Sequence, residues 1–243
     1  MTTPIYTVAS GKGGVGKTSL VINLCHILAA EGKKVLLLDA DFGLANADVQ
    51  LALAPEVDLA QVISGKIGLG RAVTTVTKNF DLIAGRSGNN ELAFMAGLEQ
   101  QEILTQLRAL SVNYDVVFLD AAAGLDATTL ALCTAADKTL LITTPDPSSI
   151  TDAYAVVKLL KQRQSVENCA LVINQASKSE GARVAEKVQA ACKNFLAVDV
   201  PLLAVLSADK QYAMAVKLQS VAAVAFPACD VVGDLKILAG KLV

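Results

Sequence analysis

The chain has 243 residues, 53% hydrophobic but only 4% aromatic and without Trp, so its core must be built from Ala, Val, Leu and Ile, as in strands buried on both faces between helices. A formal charge of −2 leaves no basic surplus of the kind that nucleic acid or an anionic membrane surface demands. Five cysteines at 25, 133, 169, 192 and 229, with no CxxC pair, argue against a disulfide framework or metal site and fit a reducing, cytoplasmic setting.

Short β-rich runs at residues 5–9, 34–38, 80–84, 115–119, 139–143, 170–173 and 202–206 alternate with helical stretches. The helices are expected at residues 17–30, 46–53, 91–110, 126–135, 150–163, 179–195, 211–219 and 230–242. This alternation predicts βαβ units in an α/β fold, with a mostly parallel sheet flanked by helices in one domain over residues 1–243. The opening MTTPIYTVAS lacks the basic n-region of a signal peptide. No uncharged apolar run approaches the roughly 20 residues of a bilayer span.

In an open parallel sheet, ligands gather beyond the carboxyl ends of the strands. SGKGGVGKTS follows the first predicted strand, and Asp39-Ala40-Asp41 follows the second. Asp120 follows VVFL, Thr144-Pro145 follows LLIT and Asn174 follows LVI. Nearly every strand therefore hands a polar or glycine-rich group to one edge.

Gly11 to Thr18, GKGGVGKT, fits GxxxxGK[ST] between a strand and a helix, the context a phosphate-binding loop requires. Gly11, Gly13, Gly14, Val15 and Gly16 let backbone N–H groups turn toward phosphate oxygens, with Lys17, Thr18 and Ser19 opening the helix. Lys17 is expected to reach the β- and γ-phosphates and Thr18 to ligate Mg²⁺. Asp39 and Asp41, two residues apart, can hold water ligands of the Mg²⁺ and position the attacking water, Asp41 being the catalytic candidate. Asp120 ends its strand like a Walker B aspartate facing the Mg²⁺ shell. Lys12 stands too early in the loop to duplicate Lys17. A cation there can complete a neighbouring molecule's site, much as an arginine finger supplied in trans does.

The pattern KGGxGKT resembles the deviant Walker A loop of the MinD/ParA family of P-loop ATPases. That resemblance implies ATP and ADP as ligands, Mg²⁺, and a nucleotide-sandwich homodimer in which Lys12 acts across the interface. Further stretches resemble the flagellar-number regulators of the FlhG/FleN branch. DADFGLANADVQLAL is similar to their first switch, SGNNELAFM to the segment before the long helix, and LDAAAGLDATTL to the second switch. TTPDPSSITDAYAVVKLL is similar to TTPEPTSITDAY, LVINQ to the strand whose terminal Asn (Asn174 here) contacts adenine, and LSADKQYAMAV to the stretch that brings Asp209 near the base. The implied activity is that of a weak ATPase switch whose ATP-bound dimer recruits or regulates a protein partner, in this branch the flagellar assembly machinery. ParA-type DNA partition and MinD-type membrane cycling are the alternatives.

The end of the chain, CDVVGDLKILAGKLV, places Val231, Leu235, Leu238 and Leu242 on one helical stripe, while Asp230 and Asp234 offset Lys236 and Lys241. Such a stripe predicts a core-packing helix rather than a basic membrane anchor. His26, the single histidine, is adjacent to Cys25 on the first predicted helix. Neighbouring helical residues face different ways, so the two do not form a catalytic pair. Cys133 lacks a matching second cysteine for an iron–sulfur cluster.

Overall fold

Runs such as VLLLDA and KTLLIT are apolar at both alternations of the pleat, so they are stable only with both faces covered. The computed structural model describes residues 2–41, 45–85 and 97–243. Residues 42–44 of the first switch-like stretch and the whole of SGNNELAFM (87–95) lie outside the described residues.

Among the described residues, eight strands form one sheet: β1 (Ile5–Ser10), β2 (Val35–Ala40), β3 (Val73–Thr77), β4 (Phe80–Ile83), β5 (Val116–Ala123), β6 (Lys138–Thr143), β7 (Cys169–Ile173) and β8 (Leu202–Val205). Their spatial order is β3-β4-β2-β5-β1-β6-β7-β8. Every pairing is parallel except β3 with β4. The antiparallel β3 has no counterpart among the seven predicted strands. Its sequence VTTVT is half polar and its residues stay partly exposed, as suits an edge strand.

The helices are α1 (Lys17–Ala30), α2 (Ala47–Gln50), α3 (Leu59–Ile63), α4 (Gly97–Ser111), α5 (Ala127–Ala135), α6 (Pro147–Gln162), α7 (Lys178–Ala191), α8 (Lys210–Lys217), α9 (Ala222–Ala225) and α10 (Asp230–Ala239). Alternate residues of each strand feed opposite cores. Val35, Leu37, Val116 and Phe118 pack with α1 and α10 on one face. Leu36, Leu38, Val117 and Leu119 join α3 and α4 on the other, where Leu141, Leu171 and Ile173 join α6 and α7. The sheet is thus a middle layer between two layers of helices.

The last helix packs as its stripe predicts. Val231, Leu235, Leu238 and Leu242 are buried, and the Tyr6 hydroxyl donates to the Leu242 carbonyl at 2.7 Å. Regular α-helix stops at Ala239, three residues short of the predicted end. No helix among the described residues is long and apolar enough to cross a membrane.

His26 lies on α1 with its ring edge-on to Phe80, centroids 5.2 Å apart. Its Nε2 is buried without a hydrogen-bond partner among the described residues, and burial pushes its pKa below the usual histidine value. The folded state therefore takes up this proton less readily than the unfolded chain, and stability falls as pH drops below about 6.5. Urea melts of the wild type and His26→Leu from pH 7 to pH 5 check this. The wild type should lose stability relative to the variant as pH falls, and parallel profiles would contradict it.

Candidate functional site

The sheet order brings the carboxyl ends of β2, β5, β1, β6 and β7 side by side, with β1 at the centre. β1 ends at Ser10 with a register shift against β5 between Val8 and Ser10. The chain then turns through GKGGVG into α1. Gly14 and Gly16 have φ of +75° and +93°, a backbone that a side chain would strain. A Cβ on Gly14 would meet none of the described residues within 4 Å. At its two ends the loop is tightly held. A Cβ on Gly11 would come within 2.6 Å of the Asp152 Cβ on α6, and one on Gly16 within 2.7 Å of the Asn174 amide nitrogen.

The two lysines of the loop occupy different environments. Lys17 is 8% exposed, and its ammonium donates to the Ser10 hydroxyl at 3.0 Å. Burial pulls its pKa down, while the carboxylates of Asp120 and Asp41 oppose that shift. Lys12 instead reaches Asp146 at 2.9 Å and the Ser148 hydroxyl at 2.7 Å. Asp146 caps α6, accepting from the Ser148 backbone at 2.8 Å, and the Lys12 ammonium and Ser148 hold its carboxyl well below the usual carboxylate range. Both partners of this ion pair are substantially exposed, so it is weak and readily exchanged. A cleft lined by Lys12, Gly13, Gly14, Pro145, Asp146 and Gln175 opens beside it.

Asp39 and Asp120 stand directly opposite each other in the β2–β5 register, each about 1% exposed. Asp39 accepts three backbone N–H groups, from Asp41 at 3.2 Å, Asn46 at 3.0 Å and Ala47 at 2.9 Å. These use most of the roughly four lone-pair sites of a carboxylate. Burial nevertheless raises its pKa, and the charge of Asp41 adds to the rise. Burial raises Asp120 as well, followed by the charge of Asp39, against the Thr18 hydroxyl and Lys17. Its Oδ1 is buried and has no hydrogen-bond partner among the described residues.

An orphaned carboxylate oxygen beside the Thr18 hydroxyl fits a hard cation such as Mg²⁺. Among the described residues no set of three His, Cys, Asp or Glu side chains closes into a metal cage. Mg²⁺ is compatible with that, because it keeps several waters and binds through one or two carboxylates together with substrate phosphates. When bound it would supply positive charge to phosphoryl oxygens. Gly13 and Gly14 and the first-turn N–H groups of α1 form a cradle suited to phosphates.

The remaining candidates lie around this core. Asn174 is 4% exposed; it donates to the Val15 carbonyl at 2.8 Å and accepts from Gln175 N at 2.9 Å, fastening the loop to β7. Ser19 donates its hydroxyl to Tyr212 at 2.9 Å. Asp209 is the N-cap of α8, accepting from Gln211 N at 2.7 Å and Tyr212 N at 3.1 Å, and its other oxygen accepts from Asp230 N at 3.2 Å. Sequence reasoning missed Ser10, which accepts from Lys17 while donating to the Lys12 carbonyl at 2.7 Å. It also missed Asp146 and Ser148 as the seat of Lys12. Asp146 carried a signal, since Asp before Pro-Ser-Ser is a helix N-cap with Pro at the first helical position.

A family described as an AAA domain matches residues 3–173. The antiactivator FleN of Pseudomonas aeruginosa is 34% identical over 239 residues, which cover 98% of this chain and 85% of FleN. The flagellum site-determining protein YlxH of Helicobacter pylori is 34% identical over 196 residues, 80% of this chain and 66% of YlxH. Among solved structures, the septum site-determining protein MinD of Pyrococcus horikoshii, complexed with Mg-ADP, has a TM-score of 0.82 at 26% identity, covering 98% of this chain and 95% of that one.

The facing carboxylates make a prediction about the nucleotide-free protein. A carboxyl whose folded pKa is raised contributes stability below its unfolded pKa and loses it as pH rises through the folded one. At pH 8, well above the unfolded pKa and close to the folded one, Asp120 is therefore a net cost. Asp120→Asn should raise the melting temperature there by about 2–4 °C, the shift of about 1 kcal/mol in a chain of this size. Thermal melts without nucleotide or metal decide it, and a lowered melting temperature would show that the carboxylate stabilises the empty site.

Proposed function

The chain belongs to the MinD/ParA family of deviant Walker A P-loop ATPases, and we propose that it works as an ATP-driven homodimeric switch controlling flagellar number or placement. In this reading residues 1–243 act as one cytoplasmic domain. The observation that carries it is the divergence of the two loop lysines. Lys17 is buried against Ser10 and the carboxylates, whereas Lys12 leaves the same loop for an exposed partner. A lysine seated so loosely is free to exchange Asp146 for the phosphates of a second copy.

ATP binds with its phosphates on Gly11, Gly13, Gly14, Val15 and Gly16 and on the first-turn residues Thr18 and Ser19, with Asn174 and Asp209 on the base side. Lys17 neutralises the β- and γ-phosphate oxygens, and Ser10 keeps its ammonium in place. Thr18 and Asp120 would hold Mg²⁺, with Asp39 beside them, and the ion would supply positive charge to the phosphates. Asp41 follows Asp39, which accepts its backbone N–H, and positions the water that attacks the γ-phosphate. The products are ADP and phosphate. Two triphosphate sites facing each other concentrate negative charge, which a Lys12 from each subunit offsets only in the dimer. Similarity to FleN and YlxH supports the flagellar role, with a protein partner read by the ATP-bound dimer.

Mixing two inactive variants tests the assignment. Lys17→Ala should abolish ATP binding by calorimetry, whereas Lys12→Ala should bind nucleotide as a monomer yet fail to dimerise or hydrolyse. In a mixed dimer of Lys12→Ala and Asp41→Ala chains, the site with an intact Asp41 lies on the Lys12→Ala chain and receives the other chain's lysine. Phosphate release should recover in part. No recovery, although mixed dimers are seen by mass photometry, would show that Lys12 does not act in trans.

A further inference from the structure

Behind the phosphate loop runs a polar connection that enters neither the reaction nor the metal site. Ser19, two residues after Lys17, is buried at 7% exposure and donates its hydroxyl to Tyr212 at 2.9 Å. One turn further along α1, Asn23 donates its amide to the Ser19 carbonyl at 2.8 Å, with Tyr212 Oη at 3.5 Å. Its oxygen accepts from Ala223 N at 2.8 Å, in the first turn of α9. Tyr212 itself lies in the first turn of α8, whose cap Asp209 also holds the backbone of Asp230 at the start of α10. A single phenol thus joins the first turn of the phosphate-loop helix to the helices at the end of the chain.

The position of Ser19 gives this connection its consequence. The first N–H of α1 with an acceptor in that turn is Leu20, bonded to Gly16 at 2.9 Å, and the N–H groups before it are helix-terminal donors suited to anions. Their directions depend on how rigidly that turn is held. A hydroxyl bonded to a phenol on another element ties that turn to α8. Burial keeps Tyr212 a neutral phenol, its pKa raised above the ordinary value.

We propose that Tyr212 is a positioning residue of the nucleotide site, acting through the Ser19 hydroxyl to fix the first turn of α1 against α8. This rests on the reading of residues 11–19 as the phosphate site. It adds that nucleotide occupancy and the docking of α8 are coupled, so each stabilises the other. Filling the phosphate site tightens α8, and loosening α8 weakens nucleotide binding.

A double-mutant cycle and an exchange measurement test the coupling. Titration calorimetry with Mg-ADP at 25 °C should show Tyr212→Phe binding roughly three- to tenfold more weakly, the loss of one neutral hydrogen bond. In a Ser19→Ala background the same substitution should cost much less, because the proposed route runs through the 2.9 Å bond to Ser19 and leaves the long 3.5 Å contact with Asn23. In the unmodified protein, Mg-ADP should slow amide hydrogen exchange across residues 210–217, and in Tyr212→Phe that slowing should disappear. A purely structural Tyr212 would lower the melting temperature while leaving affinity at 25 °C within about twofold. That result, multiplicative effects in the cycle, or exchange in α8 indifferent to Mg-ADP, would each overturn the proposal. Lys17→Ala is titrated alongside. If it binds Mg-ADP like the wild type, the phosphate-site reading itself is wrong; if it does not bind while Tyr212→Phe is unaffected, only the role of Tyr212 falls.

Discussion

Two carboxylates buried on adjacent parallel strands are the interaction around which the site is arranged. Asp39 and Asp120 are register partners with almost no exposure, and charges taken out of water cost several kcal/mol each unless they are paired and hydrogen-bonded. The fold satisfies one of them by itself. Asp39 gathers the backbone N–H groups of Asp41, Asn46 and Ala47, so it also fixes how the chain leaves β2 and enters α2. Asp120 has the Thr18 hydroxyl and the nearby Lys17, with one oxygen lacking a partner among the described residues. Burial and the neighbouring Asp39 disfavour the ionised form of Asp120 in the empty protein, and a divalent cation would favour it. It is a trade of stability for function of the kind expected at active sites.

The same principle separates the two lysines. Lys17 lies where the carboxylates can help to keep it charged against burial, and Ser10 fixes its ammonium while its own proton closes on the Lys12 carbonyl. That second bond ties the loop at residue 12 back to the end of β1. Among the described residues the Lys12 ammonium is held by Asp146 and Ser148, at the start of α6. Salt and water screen such an exposed pair, and Lys17 is sheltered from both. Two side chains of one chemistry, five residues apart, thus differ in how firmly they are committed. The difference comes from Ser10 and from where β6 delivers Asp146.

The parallel strands were legible in the sequence because their apolar runs at both alternations leave few other ways to be buried. VVFL and VLLL read as strands from residue pattern alone, and they occupy the middle of the sheet. β3 was not legible, since Thr-rich alternation in a half-exposed edge strand is indistinguishable from a polar loop until β4 pairs with it. Predicted helix 150–163 began three residues late, because Asp146 as cap and Pro147 in the first turn start α6 at Pro147. The phosphate loop was legible because its glycines and lysines are contiguous. The partners of those residues were not, because no local pattern points from Lys12 to Asp146, from Val15 to Asn174 or from Ser19 to Tyr212.

Those long-range partners explain why the loop has one shape. Its glycines confer freedom, and a loop free to adopt many conformations would bind phosphate poorly. Gly11 is pressed against Asp152 on α6 and Gly16 against Asn174 at the end of β7, so closely that neither tolerates a Cβ without movement. Asn174 then binds the Val15 carbonyl between them. Both clamps come from the half of the sheet beyond β1, through β6 and β7, whereas the carboxylates come from β2 and β5 on the other side. The motif supplies a backbone able to form the cradle, and the strand order, with β1 at the centre, selects that conformation and sets charge beneath it.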